Sequence, residues 1–134
     1  MNKDQMTPME RFSAYAKGDP VDRLPCVPVV GNGAARVLGC KISEFRGNGP
    51  LIAEAHLAAY RRFGYDTVRI FTDLYVLAEA MGATVCYPPD ETAHLENPAI
   101  DDIADIGRLQ PVDPRRAGNL PPLLQALEIA HKRV

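Results

Sequence analysis

The chain has 134 residues, one domain's worth, and on folding a chain of that length buries roughly two-thirds of its unfolded surface. Its 46% apolar and 24% charged residues exclude a disordered polyelectrolyte, and a net charge of −2 with no basic run beyond pairs such as Arg61-Arg62 argues against a nucleic-acid partner. No apolar stretch approaches the ~20 residues that span a bilayer, no signal core opens the chain, and Cys26, Cys40 and Cys86 fit neither a disulfide framework nor a metal knuckle, so a cytoplasmic protein with reduced thiols is expected.

The first element is announced at Thr7-Pro8-Met9-Glu10. The Thr hydroxyl can accept from the Glu10 amide while the carboxylate reaches back, and proline suits the first helical position. Phe12, Tyr15 and Ala16 recur at helical spacing until Gly18-Asp19-Pro20 stops the helix. Leu24 to Val30 is an apolar, valine-rich run without alternation. It predicts a strand buried on both faces, as in a parallel sheet, with Cys26 a small core residue, although Pro25 and Pro28 each remove a ladder donor. Gly31-Asn32-Gly33 follows as either a simple turn or a loop that lets a ligand approach the backbone.

Ser43 is placed to cap a short helical turn around Glu44 and Phe45, and Gly47-Asn48-Gly49 marks a loop before Pro50 opens the next helix. That helix runs to about Phe63, with Leu51, Ile52, Ala55, Leu57, Ala58 and Ala59 as its apolar face and Gly64 just past its end. Thr67 to Phe71 reads as a second strand, so strand, helix and strand form a βαβ unit. Asp73 then sits just beyond that strand, before a helical stretch through Leu77, Ala78 and Met81 closed by Gly82. It is either the cap of that helix or a substrate contact.

Thr84 to Tyr87 and His94 to Leu95 suggest a small hairpin outside the main sheet. Asp101 to Leu109 holds a short acidic helix or turn, and Asn119 should cap a final helix carrying Leu123, Leu124, Leu127 and Ala130 along one side. His56, His94 and His131 lie in a helix, a hairpin and a helix end, and each is more economically read as structural than as chemical. Cys40 and Cys86 have no cationic neighbours in sequence that would activate a thiol. Another strand of a βα series would be expected after the final helix.

Two ordered signatures carry a family resemblance. Met6-Thr7-Pro8-Met9-Glu10-Arg11-Phe12 followed by Gly18-Asp19-Pro20-Val21-Asp22-Arg23-Leu24-Pro25 resembles the start of the uroporphyrinogen decarboxylase family, with its T-P-x-E-R helix and G-x-x-x-D-R-x-P entry into the first strand. Phe63-Gly64-Tyr65-Asp66, Arg69-Ile70-Phe71-Thr72-Asp73 and Leu77-Ala78-Glu79-Ala80-Met81-Gly82 are similar to the family's second strand, its following acidic residue and the A-x-G helix end. The resemblance implies an α/β chain in which residues 1–134 form the N-terminal portion, with parallel strands, of an incomplete (β/α)₈ TIM barrel. A complete barrel needs about 250 residues. A part of one exposes sheet edges and apolar helix faces, so self-association, or association with a missing C-terminal half, is expected.

The family's decarboxylases carry an arginine-bearing R-Q-A-G-R-Y segment after the first strand, where clustered guanidinium groups hold an acidic porphyrinogen. Here the chain reads Val29-Val30-Gly31-Asn32-Gly33-Ala34-Ala35-Arg36, with a single late arginine. The resemblance therefore points to the family's corrinoid-dependent methyltransferase branch, which moves a methyl group between a corrinoid (cobalamin) protein and a thiol, folate or methoxylated donor. That branch implies zinc, held by a His-x-Cys pair and a later Cys. No His-x-Cys exists here, so no metal ligand is assigned and the chain alone is expected to be inactive. Asp73 is the candidate catalytic position, and Gly31, Asn32, Gly33 and Arg36 are candidate substrate contacts, since strand ends line a barrel's mouth. A non-catalytic binding or assembly fragment and a decarboxylase fragment are the alternative readings.

Overall fold

A computed structural model describes residues 4–134. Helix α1, Pro8–Lys17, begins with the expected capping box: the Glu10 amide donates to Thr7 Oγ1 at 3.3 Å and the Thr7 amide to the Glu10 carboxylate at 2.8 Å. The chain then forms α2 (Gly33–Leu38), α3 (Ile42–Phe45) and the long α4 (Gly49–Phe63), which ends at Gly64. Helix α5 (Val76–Ala80) precedes strands β1 (Thr84–Cys86) and β2 (His94–Asn97), a 3₁₀ turn at Ile103–Arg108 and helix α6 (Leu120–His131). No helix among the described residues is long and apolar enough to cross a membrane.

Helices α2, α3, α4 and α6 enclose the core. Ala34, Ala35, Ile42, Phe45, Ile52, Ala53, Ala55 and Ala126 are buried together there. Ile42, Phe45 and Ile52 are the large members, each contributing roughly 1.5–3 kcal/mol by leaving water. The alanines let helix backbones approach. The approach is tightest at Gly49 on α4, where a Cβ would lie 2.8 Å from both the Pro122 carbonyl oxygen and the Gln125 Cβ of α6. At the other end of the same seam, Arg133 pairs with Glu54 at 2.6 Å.

Two expectations about capping need correction. Ser43 lies inside α3 and caps nothing; its amide donates to the Pro89 carbonyl at 3.0 Å and so ties the helix to the β1–β2 connection. Asn119 occupies the cap position of α6 without a capping bond, because its amide nitrogen is drawn to the Glu79 carboxylate, 2.9 and 3.2 Å from its two oxygens. The bond from its nitrogen to that carboxylate holds the side chain away from the helix end, whose free N–H groups would need its Oδ1.

The strand expectations divide. β1 and β2 form the antiparallel hairpin, pairing Val85 with Leu95 and Cys86 with His94. Leu24 to Val30 and Thr67 to Phe71, by contrast, carry no ladder. They are joined at one end, where the Asp66 amide donates to the Cys26 carbonyl at 2.9 Å and the Cys26 amide to Asp66 Oδ2 at 2.7 Å. At the other end a Cβ on Gly31 would meet the Phe71 ring at 3.2 Å. The first segment is also not buried on both faces: Leu24 is 70%, Val29 57% and Val27 43% exposed. Cys26 is exposed rather than a core residue. Pro25 and Pro28 withhold donors, and no neighbouring segment among the described residues covers these side chains.

Candidate functional site

The second segment delivers its last residues into a polar corner. Asp73 is 5% exposed; its Oδ1 accepts from the Tyr75 amide at 2.8 Å and its Oδ2 from the Thr72 hydroxyl at 3.2 Å. The bond to the residue two positions on is an Asx turn. Asp73 therefore does not cap α5, whose cap position is Tyr75. A carboxylate has room for about four hydrogen bonds, and two are used here, so Asp73 retains the capacity to accept from N–H or O–H groups of a ligand.

Facing this corner is a cluster that sequence reasoning missed. The Asn119 amide nitrogen donates to Glu79 and lies 3.4 Å from the Tyr87 hydroxyl, while the Arg46 guanidinium sits 4.5 Å from the centre of the Tyr87 ring. Burial, followed by the hydrogen bond to Glu79 and the charges of Asp73 and Glu79, pushes the Tyr87 phenol up to about 12. It thus stays a proton donor at neutral pH. Residues 46, 73, 79, 87 and 119 come from five separate segments, and only Asp73 and Glu79 lay inside a motif.

Gly31 is buried with φ +51°, against Phe71. A side chain there would be both strained and in contact with the ring. The Gly33, Ala34 and Ala35 amides donate back to the Val30, Gly31 and Asn32 carbonyls at 3.0–3.2 Å, so Gly31-Asn32-Gly33 closes as a turn on itself. Arg36 lies exposed on α2. The structure thus brings Gly31 to Phe71, two residues from Asp73, and leaves Arg36 on the surface.

The motif residues Arg11, Asp22, Arg23 and Asp66 form a partly buried ion cluster, with Arg11 and Asp66 at its buried centre. Arg11 is fully buried. It donates to both oxygens of Asp22 at 2.7 and 2.8 Å, to the Met6 carbonyl at 2.7 Å and to Asp66 Oδ1. Arg23 adds a two-pronged contact to Asp66 at 2.6 and 2.9 Å and reaches Asp4 at 2.8 Å. Burial works against the Asp66 charge, but the Arg23 hydrogen bonds, the Cys26 amide and the two guanidinium charges outweigh it and hold its carboxyl below the usual range. Asp22 is held lower still, first by its bond to Arg11. The T-P-x-E-R and D-R signatures are in this chain the arms of a structural staple.

His56 is a further buried polar group, at 0% exposure, with its Nε2 3.0 Å from the Phe71 carbonyl oxygen. Burial lowers its pKa, partly offset by that bond. His94 and His131 are exposed. The Cys40 thiol, half-buried with its Sγ 3.6 Å from the Ala35 carbonyl, is pushed up by burial and so is less reactive than a free thiol. Among the described residues no three His, Cys, Asp or Glu side chains are grouped to hold a metal ion, so a zinc site does not fit the residues present.

An open groove of about 730 Å³ runs between α1 and α6 and is lined by apolar groups including Met9, Phe12, Val68, Ile70, Leu127 and Val134.

Residues 7–134 match the family model described as uroporphyrinogen decarboxylase (URO-D). The chain belongs to the uroporphyrinogen decarboxylase family. Among curated relatives, the methylcobamide:CoM methyltransferase MtaA of Methanosarcina barkeri (strain Fusaro / DSM 804) is 28% identical across 97% of this chain and 39% of its own length. A uroporphyrinogen decarboxylase of Roseobacter denitrificans is 36% identical over 66 residues, 49% of this chain and 19% of the relative. A solved methyltransferase from Methanosarcina mazei superposes with a TM-score of 0.77 at 28% identity, across 97% of this chain and 40% of that one. The chain thus spans about two-fifths of the methyltransferases it matches.

Proposed function

We propose that this chain is the N-terminal segment of a cytoplasmic, corrinoid-dependent methyltransferase, inactive alone, which in complete form moves a methyl group between a corrinoid protein and a thiol, folate or methoxylated donor. The observation that carries the reading is coverage: likeness to the methylcobamide:CoM enzyme runs over 97% of the chain, and likeness to the decarboxylase over 49%. Charge supports it. The Gly31 to Arg36 segment offers one exposed guanidinium, where a substrate carrying many carboxylates needs several convergent ones.

In this reading the segments ending at Val30 and Phe71 are the first two parallel strands of a (β/α)₈ barrel. The pairing of Cys26 with Asp66 and of Gly31 with Phe71, at the same offset in sequence, favours a common direction. Asp73, Gly31, Asn32 and Gly33 then stand at the rim beyond the strand ends, where barrels place their chemistry. Asp73 contributes a buried acceptor that orients a donor group of the substrate or cofactor. Arg36 offers a solvent-facing cation. Among the described residues no three His, Cys, Asp or Glu side chains are grouped to hold the branch's zinc, and we place its ligands in the rest of the complete enzyme.

The test is methyl transfer from methylcobalamin to coenzyme M, measured with the 134-residue chain and with the complete barrel it would belong to. The complete protein should turn over and the 134-residue chain should not. Decarboxylation of uroporphyrinogen in place of methyl transfer, or turnover by the chain alone, overturns the reading. Asp73→Ala in the complete protein should lower turnover or affinity; unchanged values for both would remove Asp73 from the rim's machinery.

A further inference from the structure

We infer that His56 is a positioning residue: its imidazole holds the main chain of Phe71 and, through it, the Asp73 carboxylate and the Gly31 contact. The consequence for catalysis rests on the reading of Asp73 as a rim group, but the geometry stands without it. A polar ring buried without partners is costly, and the neighbours of His56 on α4, Ala53, Ala55, Leu57 and Ala59, are apolar and buried. Its polar contacts go to one residue. Nε2 lies 3.0 Å from the Phe71 oxygen and 3.4 Å from the Phe71 nitrogen. One ring nitrogen cannot both donate and accept, so the shorter contact assigns Nε2–H as donor and leaves Nδ1 bare. Nδ1 is buried without a partner, and a bare acceptor there is less costly than the stranded N–H of the other tautomer.

Phe71 has no strand ladder to satisfy its carbonyl, and the imidazole takes that place. Two residues on, Thr72 and Tyr75 fix the Asp73 carboxylate relative to the same backbone, and the Phe71 ring closes on Gly31. The Tyr65 hydroxyl donates to the His56 carbonyl at 3.3 Å, bracing the helix from which the ring hangs. One imidazole thereby couples α4 to both segment ends.

The test uses the 134-residue chain. Long-range nitrogen NMR should find His56 with Nε2 protonated and Nδ1 bare. Amide exchange is then compared at Tyr75, inside the Asp73 turn, and at Ala130 in α6, which reports on the fold as a whole. In His56→Leu the Tyr75 amide should exchange roughly tenfold faster relative to Ala130, the size of one lost hydrogen bond. In His56→Gln, whose amide N–H reaches toward the same carbonyl, most of that protection should return. Equal acceleration at both amides, no rescue by glutamine, or an Nδ1–H tautomer overturns the assignment. Should His56→Leu fail to fold, the tautomer and the glutamine variant decide alone. None of these readouts involves substrate, so failure here is distinct from failure of the methyl-transfer reading.

Discussion

Arg11 and Asp66, 55 positions apart in sequence, meet as a buried ion pair that fastens helix α1 to the start of the second extended segment. Asp22 and Arg23 complete the cluster: Arg11 pairs with both Asp22 and Asp66, and Asp66 with both arginines. Removing one member of such a set strands the opposite charge, whereas replacing a pair by apolar groups need not destabilise. Asp66→Asn should therefore lower the melting temperature more than the double change Asp66→Asn with Arg11→Leu lowers it beyond Arg11→Leu alone. Thermal melts of the four chains give the coupling, and strictly additive effects would show that the contact contributes nothing.

The same cluster and His56 divide the pH dependence into two windows. Asp66 and Asp22 have folded pKa values below the ordinary 3.8, so the unfolded chain binds more protons as acid is added. Their stabilisation is complete above about 3.8 and is lost as pH falls from there through the folded values. His56 is lowered from 6.5, first by burial. Its contribution is whole above about 6.5 and declines as pH falls from 6.5 toward its folded value, because the unfolded chain again takes up the proton first. Denaturant midpoints should fall in two steps, and His56→Gln should abolish the upper one while leaving the lower.

Gly49 marks the closest crossing of α4 and α6. A methyl group there would press on the Pro122 carbonyl and the Gln125 side chain, and backbone oxygen yields less readily than a flexible side chain. Gly49→Ala should cost about 1–3 kcal/mol through overpacking, despite alanine's better helix propensity. A denaturant titration showing equal or greater stability would place slack in the seam.

Met9, Leu24, Val29, Leu127 and Val134 are exposed, several of them along the groove between α1 and α6. Light scattering at micromolar concentration should find the chain associated with itself or, when co-expressed, with a polypeptide supplying the rest of a barrel. A monodisperse monomer would count against the barrel reading. Patches of this kind on isolated monomers generally mark an interface.

What the sequence made legible is local. Thr7, Pro8 and Glu10 start α1, Gly18 and Gly64 follow helix ends, and Pro50 sits at the opening of α4, because each signal is satisfied within one or two turns of its own residue. The hairpin around Pro88-Pro89-Asp90 was readable for the same reason. The ladder expected between Leu24–Val30 and Thr67–Phe71 was not, since a ladder depends on neighbours on both sides that periodicity cannot supply. Asn119 illustrates a related loss: a good cap residue's side chain takes a distant charged partner when folding offers one, while Ser43 falls inside α3 instead of before it. Asp73 was legible as a candidate from its motif, but Tyr87, Asn119 and Arg46 carry no spacing that predicts their meeting.

The buried guanidinium of Arg11 also imposes an order of events on the chain as it collapses. Its two farthest-separated anchors close only after the turn at Gly64 has carried Asp66 back beside Cys26, so until α4 has docked the cation is better hydrated than enclosed. The N-terminal helix should consequently form early by its own cap yet seat late, as the clasp that locks an already assembled α2–α4 layer.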